Sequence, residues 1–272
     1  GFDAFATQVE VELHRNKMGL INMITIRDNG CGINYDELKY KFQPFNDSKK
    51  ANVSQKTNHT LPHGRKGIGR LTFFAFSQTA RWDTVYRKDG DTYEYYISMN
   101  KDSLNQYDDN GEKLPCKVEK LTGTKVSFTQ LESMEKEDII NKIKEEFFWF
   151  LELNKENDYK IIVDKECIDY SDFVEHTENM DVSKYGCKEM YDVRFVQWKQ
   201  KLGNEYSRIY YLGSDNKERY KETTKLNKRA DHFFHSVYIK SSYFDDFHFT
   251  NEEIEGQGDL FPNKCDDEYK IL

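Results

Sequence analysis

At 272 residues the chain is long enough for one large domain or two ordinary ones, at about 150 residues per domain. It is 37% hydrophobic and 32% charged, and its 19 Phe and 18 Tyr supply enough packing material for a sizeable core, which excludes a disordered chain. Lys and Arg number 40 against 48 Asp and Glu, a formal charge of −8, which excludes a generally basic nucleic-acid-binding surface. No run approaches the roughly 18 apolar residues of a membrane span, so a cytoplasmic protein without a membrane partner is expected. Cys31, Cys116, Cys167, Cys187 and Cys265 are widely spaced and include no Cys-x-x-Cys, so reduced thiols are expected.

Residues 1–6 read as the tail of a helix whose start signal is missing. From Gln8 to Leu13, Val9, Val11 and Leu13 alternate with polar residues, the period of a strand. After a turn at Asn16 to Gly19, Ile21, Met23, Ile24 and Ile26 form a second strand, apolar on both faces, which predicts a place near the middle of a sheet. Tyr35 to Phe42 has a short helical pattern. Asn46 to His63 is almost devoid of apolar residues and too polar to pack, and a loop of that length is usually functional. The run Leu71 to Phe76 predicts a buried helix. Strands follow at 80–87, 93–99 and 124–129, and then a long amphipathic helix over 135–153. Beyond Tyr159 the texture changes to short strands at 160–163, 193–198, 208–212 and 233–239, and residues 251–272 form an acidic tail.

Three short signals carry chemistry. Asp28-Asn29-Gly30-Cys31-Gly32 puts a carboxylate at a strand end, where it can accept a hydrogen bond from an exocyclic amine, and glycines allow the close approach of a flat base. An Asx turn leaving the strand would have the same composition. Gly64-Arg65-Lys66-Gly67-Ile68-Gly69-Arg70, ahead of the expected helix, can turn successive N–H groups towards phosphate oxygens, with Lys66 and Arg70 adding charge. A glycine hinge with solvated basic residues reads the same way. Gly123-Thr124 opens a strand and alone says little.

In combination and order these residues resemble the GHKL superfamily of gyrase, heat-shock chaperones, histidine kinases and MutL. The resemblance covers roughly residues 1–155 and implies a Bergerat-type α/β (α+β) fold, a mixed sheet layered with helices. Asp3-Ala4 resembles the end of the first motif, Asp28-x-Gly30-x-Gly32 the adenine motif, Gly64-x-x-Gly67-x-Gly69 the phosphate loop and Gly123-Thr124 the fourth motif. Asn46-Asp47-Ser48-Lys49 is similar to the lid entrance of the MutL and microrchidia branches. The resemblance then implies that Asp28 holds the adenine amine of ATP or ADP, with Thr124 supporting it through water. Gly30, Gly32 and Ala4 would shape the base pocket. Gly64, Lys66, Gly67, Ile68 and Gly69 would wrap the phosphates, with Ser48 and Lys49 approaching as the lid closes. The family's Glu, which polarises water, and its Asn, which holds Mg²⁺, fall before Gly1, so a trimmed piece of a competent ATPase is expected, with a nucleotide-binding module that does not hydrolyse as the alternative.

Residues 156–250 are similar to the family's smaller α/β transducer domain, which implies a basic side chain for the γ-phosphate. Lys225, Lys228, Arg229 and Lys264 are the candidates. The implied function is an ATP-dependent conformational switch that dimerises with ATP bound and acts on a client protein or DNA. A sensor histidine kinase is the alternative enzyme. His232, His235 and His248 match no standard metal spacing, Asp245 and Asp246 read as a solvated acidic face, and Trp149 and Trp198 read as core.

Overall fold

The structure, a computed structural model, describes residues 1–38, 69–103, 107–109, 114–180, 182, 188–202, 206–227, 232–247 and 269–270. By compactness the chain divides into two units, the first comprising residues 1–57, 62–142 and 158–168 and the second the remainder.

The first unit is built on an eight-stranded sheet. Its strands are β1 (Gln8–Arg15), β2 (Ile21–Asp28), β3 (Ser77–Lys88), β4 (Asp91–Asn100), β5 (Cys116–Val118), β6 (Gly123–Leu131), β7 (Lys160–Val163) and β8 (Glu166–Cys167), in the order β5-β4-β3-β6-β2-β1-β7-β8. All neighbours are antiparallel except β1 and β7. Strand β2 lies inside the sheet, as its apolar run predicts. The hairpin of β7 and β8 belongs to this sheet, although the sequence reading places it in the following module.

Alternation sorts the side chains cleanly. Val11 and Leu13 of β1, Ile24 of β2, Trp82 and Tyr86 of β3, Ile97 and Met99 of β4 and Phe128 of β6 are buried. Their polar neighbours Glu12, Arg27 and Arg81 are exposed. The run expected as a buried helix is a 3₁₀ helix, Gly69–Ala75. Only part of it enters the core: Phe73 packs edge-on to Trp82 with ring centroids 6.1 Å apart, whereas Phe74 is exposed. A 3₁₀ helix aligns every third residue, so its buried stripe is narrow. The helical pattern from Tyr35 is described only as the 3₁₀ turn Tyr35–Glu37 followed by buried Leu38, and residues 39–42 lie outside the described residues.

The second unit carries a five-stranded sheet, β9 (Val174–Met180), β10 (Asp192–Trp198), β11 (Arg208–Leu212), β12 (Glu218–Thr223) and β13 (Phe234–Lys240), in the order β12-β11-β13-β10-β9. Strands β9 and β12 escape the sequence reading because their alternation is weak: β9 is exposed along nearly its whole length. Helix α1 (Lys136–Leu153) contributes its residues from Ile143 onward to this unit. Phe148 meets Trp198 at 4.8 Å between ring centroids, and Trp149 and Trp198 are both buried.

One charge lies within that apolar end of the helix. Glu152 is 4% exposed, and its carboxylate receives the Arg194 guanidinium at 2.8 Å and the Tyr170 hydroxyl at 2.7 Å. Burial and the adjacent carboxylate together push the Tyr170 phenol well above its ordinary range, so it remains a donor. Asp245, expected as a solvated acid, is instead tied to Ser214 and Arg219. His235 is 3% exposed, beside Phe233 and Phe195, and burial holds its pKa below the ordinary value.

Two stability measurements follow from this unit. Arg194→Met strands the Glu152 carboxylate and is expected to cost about 3–5 kcal/mol in urea denaturation, with Glu152→Leu in the same chain restoring much of it. Because native His235 binds a proton less readily than the unfolded residue, stability is expected to fall as pH drops below about 6.5. His235→Phe should flatten that loss between pH 7 and 5. Asp215 and Asp245 in this unit, whose carboxyl groups are lowered because the opposing effect of burial is outweighed by their hydrogen bonds and Arg219, add a separate loss only at more acid pH.

Candidate functional site

The register of four strands places one polar row on the core face of the first sheet. Val9 of β1 pairs with Asp28 of β2, Asp28 with Thr124 of β6, Thr124 with Thr84 of β3, and Thr84 with Tyr95 of β4. Thr84 and Thr124 are 1% and 9% exposed, and their hydroxyl oxygens are 3.1 Å apart. Asp28 ends its strand with a side chain only 12% exposed.

The loop after β2 is folded onto this row. The Gly30 N–H donates to Asp28 Oδ1 at 2.9 Å, and the Ile33 N–H donates to Thr84 Oγ1 at 2.9 Å. The Cys31 N–H donates to the carbonyl of Ala4 at 2.9 Å, and Asn29 Oδ1 accepts from the Thr7 and Gln8 N–H groups. The first turn, Phe2–Ala4, and the glycine loop are thereby clamped together. A Cβ at Gly30 would stand 2.5 Å from the Ala4 carbonyl oxygen, and one at Gly32, where φ is +75°, would stand 2.0 Å from that of Val85. Only glycine fits either position.

One carboxylate oxygen of Asp28 therefore serves the loop, while Oδ2 faces the Gly1 amine 3.6 Å away. A carboxylate with one oxygen free of the loop, two hydroxyls beside it and a glycine loop can together cradle the hydrogen-bonding edge of a flat base. Of the residues expected in the site, Ala4, Asp28, Gly30, Gly32 and Thr124 come together here. Gly69 opens the 3₁₀ helix before β3. Ser48, Lys49, Gly64, Lys66, Gly67 and Ile68 lie outside the described residues, as do Lys228, Arg229 and Lys264, while Lys225 is exposed. Thr84 is missed by sequence reading; its signal is its place between Trp82 and Tyr86 on the inward period of β3. Among the described residues no three His, Cys, Asp or Glu side chains converge as a metal site.

The family described as histidine kinase-, DNA gyrase B- and HSP90-like ATPases matches residues 1–139. The chain belongs to this family, and its first unit is a GHKL-type ATP-binding domain of mixed α+β fold. Among solved structures it is similar to the ATPase region of Saccharomyces cerevisiae topoisomerase II, with 11% identity over 88% of this chain and 69% of that one and a TM-score of 0.43. It is also similar to the Aquifex aeolicus MutL ATPase domain complexed with ADP, with 14% identity over 88% of this chain and 86% of that one and a TM-score of 0.39. No curated protein matches the chain. No helix among the described residues is long and apolar enough to cross a membrane.

Thr84→Val tests the row without touching the carboxylate. It removes the acceptor for the Ile33 N–H and the partner of Thr124, and a cost of about 1–3 kcal/mol in chemical denaturation is expected.

Proposed function

We propose that the chain is an ATP-dependent conformational switch in which Asp28 Oδ2 accepts the exocyclic amine of adenine. The observation that carries this reading is the buried row Asp28–Thr124–Thr84, with one oxygen of the carboxylate already committed to the glycine loop. In this reading Thr124 supports the base through water, and Gly30, Gly32 and Ala4 shape its pocket. Gly64, Lys66, Gly67, Ile68 and Gly69 wrap the phosphates, and Ser48 and Lys49 come in when the 46–63 lid closes and excludes water. Mg²⁺ would accompany the triphosphate and offset its charge.

The functional division in this proposal is a nucleotide-binding domain over 1–155, a transducer-like domain over 156–250 and an acidic tail. Nucleotide binding favours the closed state by differential affinity, which is the only means by which a ligand shifts such an equilibrium. Closure in turn favours a homodimer that acts on a client protein or DNA. The family match and the cradle geometry support the binding step; dimerisation and coupling rest on the family's general behaviour.

Calorimetric titration with ATP tests the pocket. Asp28→Asn keeps a side-chain carbonyl for the Gly30 N–H but loses the charged acceptor for the amine, so affinity is expected to fall about ten- to hundredfold. Unchanged affinity would reject the assignment of Asp28, and analytical ultracentrifugation with and without ATP addresses the dimer separately.

A further inference from the structure

The opposite, polar face of the first sheet carries a second feature, a cleft of about 730 Å³. Arg27 of β2 and Lys125 of β6 sit directly opposite one another in it, and neither has an ion-pair partner among the described residues. Like charges directly opposed across two strands repel, which destabilises the pairing. The cleft adds Arg81 and Lys120 to these two, against Asp83 and Glu94.

The carboxylates do not answer the central pair. Asp83 lies opposite Lys125 in register, but its Oδ1 is 2.8 Å from the Arg81 guanidinium, which also stacks 4.0 Å over the Tyr96 ring. Glu94 is paired with Lys120. Glu10 faces Arg27 from β1 and forms no ion pair with it. Asp28, Thr84, Tyr95 and Thr124 also line the cleft, each between two other lining residues, and by strand alternation their side chains point to the other face, where the nucleotide cradle lies. The cleft's volume lies in the range of small-molecule sites, and a protein of net charge −8 concentrates four cations here.

The geometry points to a binding site for a small polyphosphate, with Arg27 and Lys125 each donating to phosphate oxygens. A polyanion removes their mutual repulsion, and the planar fork of Arg27 suits two oxygens at once. The site's donor side chains are distinct from those of the proposed ATP pocket and lie on the opposite face of the same strands.

The test is calorimetric titration with sodium tripolyphosphate at fixed ionic strength on the unaltered chain, on Arg27→Gln with Lys125→Gln, and on Lys66→Ala in the phosphate loop. Binding about tenfold weaker or lost in the double variant, and retained in Lys66→Ala, is expected. Lys125→Gln alone, which removes the repulsion with one change, should melt no lower than the unaltered chain in the absence of anion and should bind more weakly. Undiminished binding in the double variant, or loss only in Lys66→Ala, would overturn the proposal. So would an absence of tripolyphosphate binding, including the case in which a 20-base-pair DNA duplex binds in its place.

Discussion

The site depends on the pairing register of β2, β6 and β3. A side chain's face alternates with every residue along a strand, so slipping β6 by one position would replace Thr124 with Lys125 on the core face and turn the hydroxyl outward. Gly123 belongs to the same constraint. Its φ is +151°, and a Cβ there would stand 2.3 Å from the carbonyl oxygen of Asp28. The close passage of β6 beside the end of β2 therefore needs the glycine as much as the chemistry needs the threonine.

The loop after β2 shows how local rigidity is assembled around a group that must remain available. Asn29 fixes the start of β1 through two backbone N–H groups, Gly30 occupies one oxygen of Asp28, and Ile33 is held by Thr84. Each of these bonds also satisfies a backbone donor that would be costly to leave alone in a part-buried loop. The outcome is a carboxylate of settled orientation whose second oxygen is uncommitted to the loop, the pre-organisation that a selective base contact requires.

The same strands use their two faces differently. Trp82, Tyr86, Ile97 and Phe128 build the core on one side, and residues one step away, Arg27, Arg81 and Lys125, set up a charged surface on the other. In the second unit the division is less clean, because helix α1 buries Glu152 among Phe148, Trp149 and Leu151. There the polar group is accommodated by specific partners, Arg194 and Tyr170, and not by exposure.

Much of this was legible in the residues. The alternation in β1, β3, β4, β6, β10, β11 and β13 and the 3.6 period of α1 are local patterns that burial enforces directly, and the Asp28-x-Gly30-x-Gly32 motif marks its turn by residue type. The weakly patterned strands β9 and β12, the 3₁₀ form of residues 69–75 and the membership of the β7–β8 hairpin in the first sheet were not legible. These follow from neighbours distant in sequence. Sequence by itself determined which residues could serve as a carboxylate acceptor, a hydroxyl and a glycine turn, because those properties belong to the side chains. Only the tertiary structure decided that Thr84 completes the row, that Asp83 answers Arg81 and leaves Lys125 facing Arg27, and that the loop takes one oxygen of Asp28 and not both. Cross-strand register sets those relations, and register is a property of chain segments some 40 to 100 residues apart.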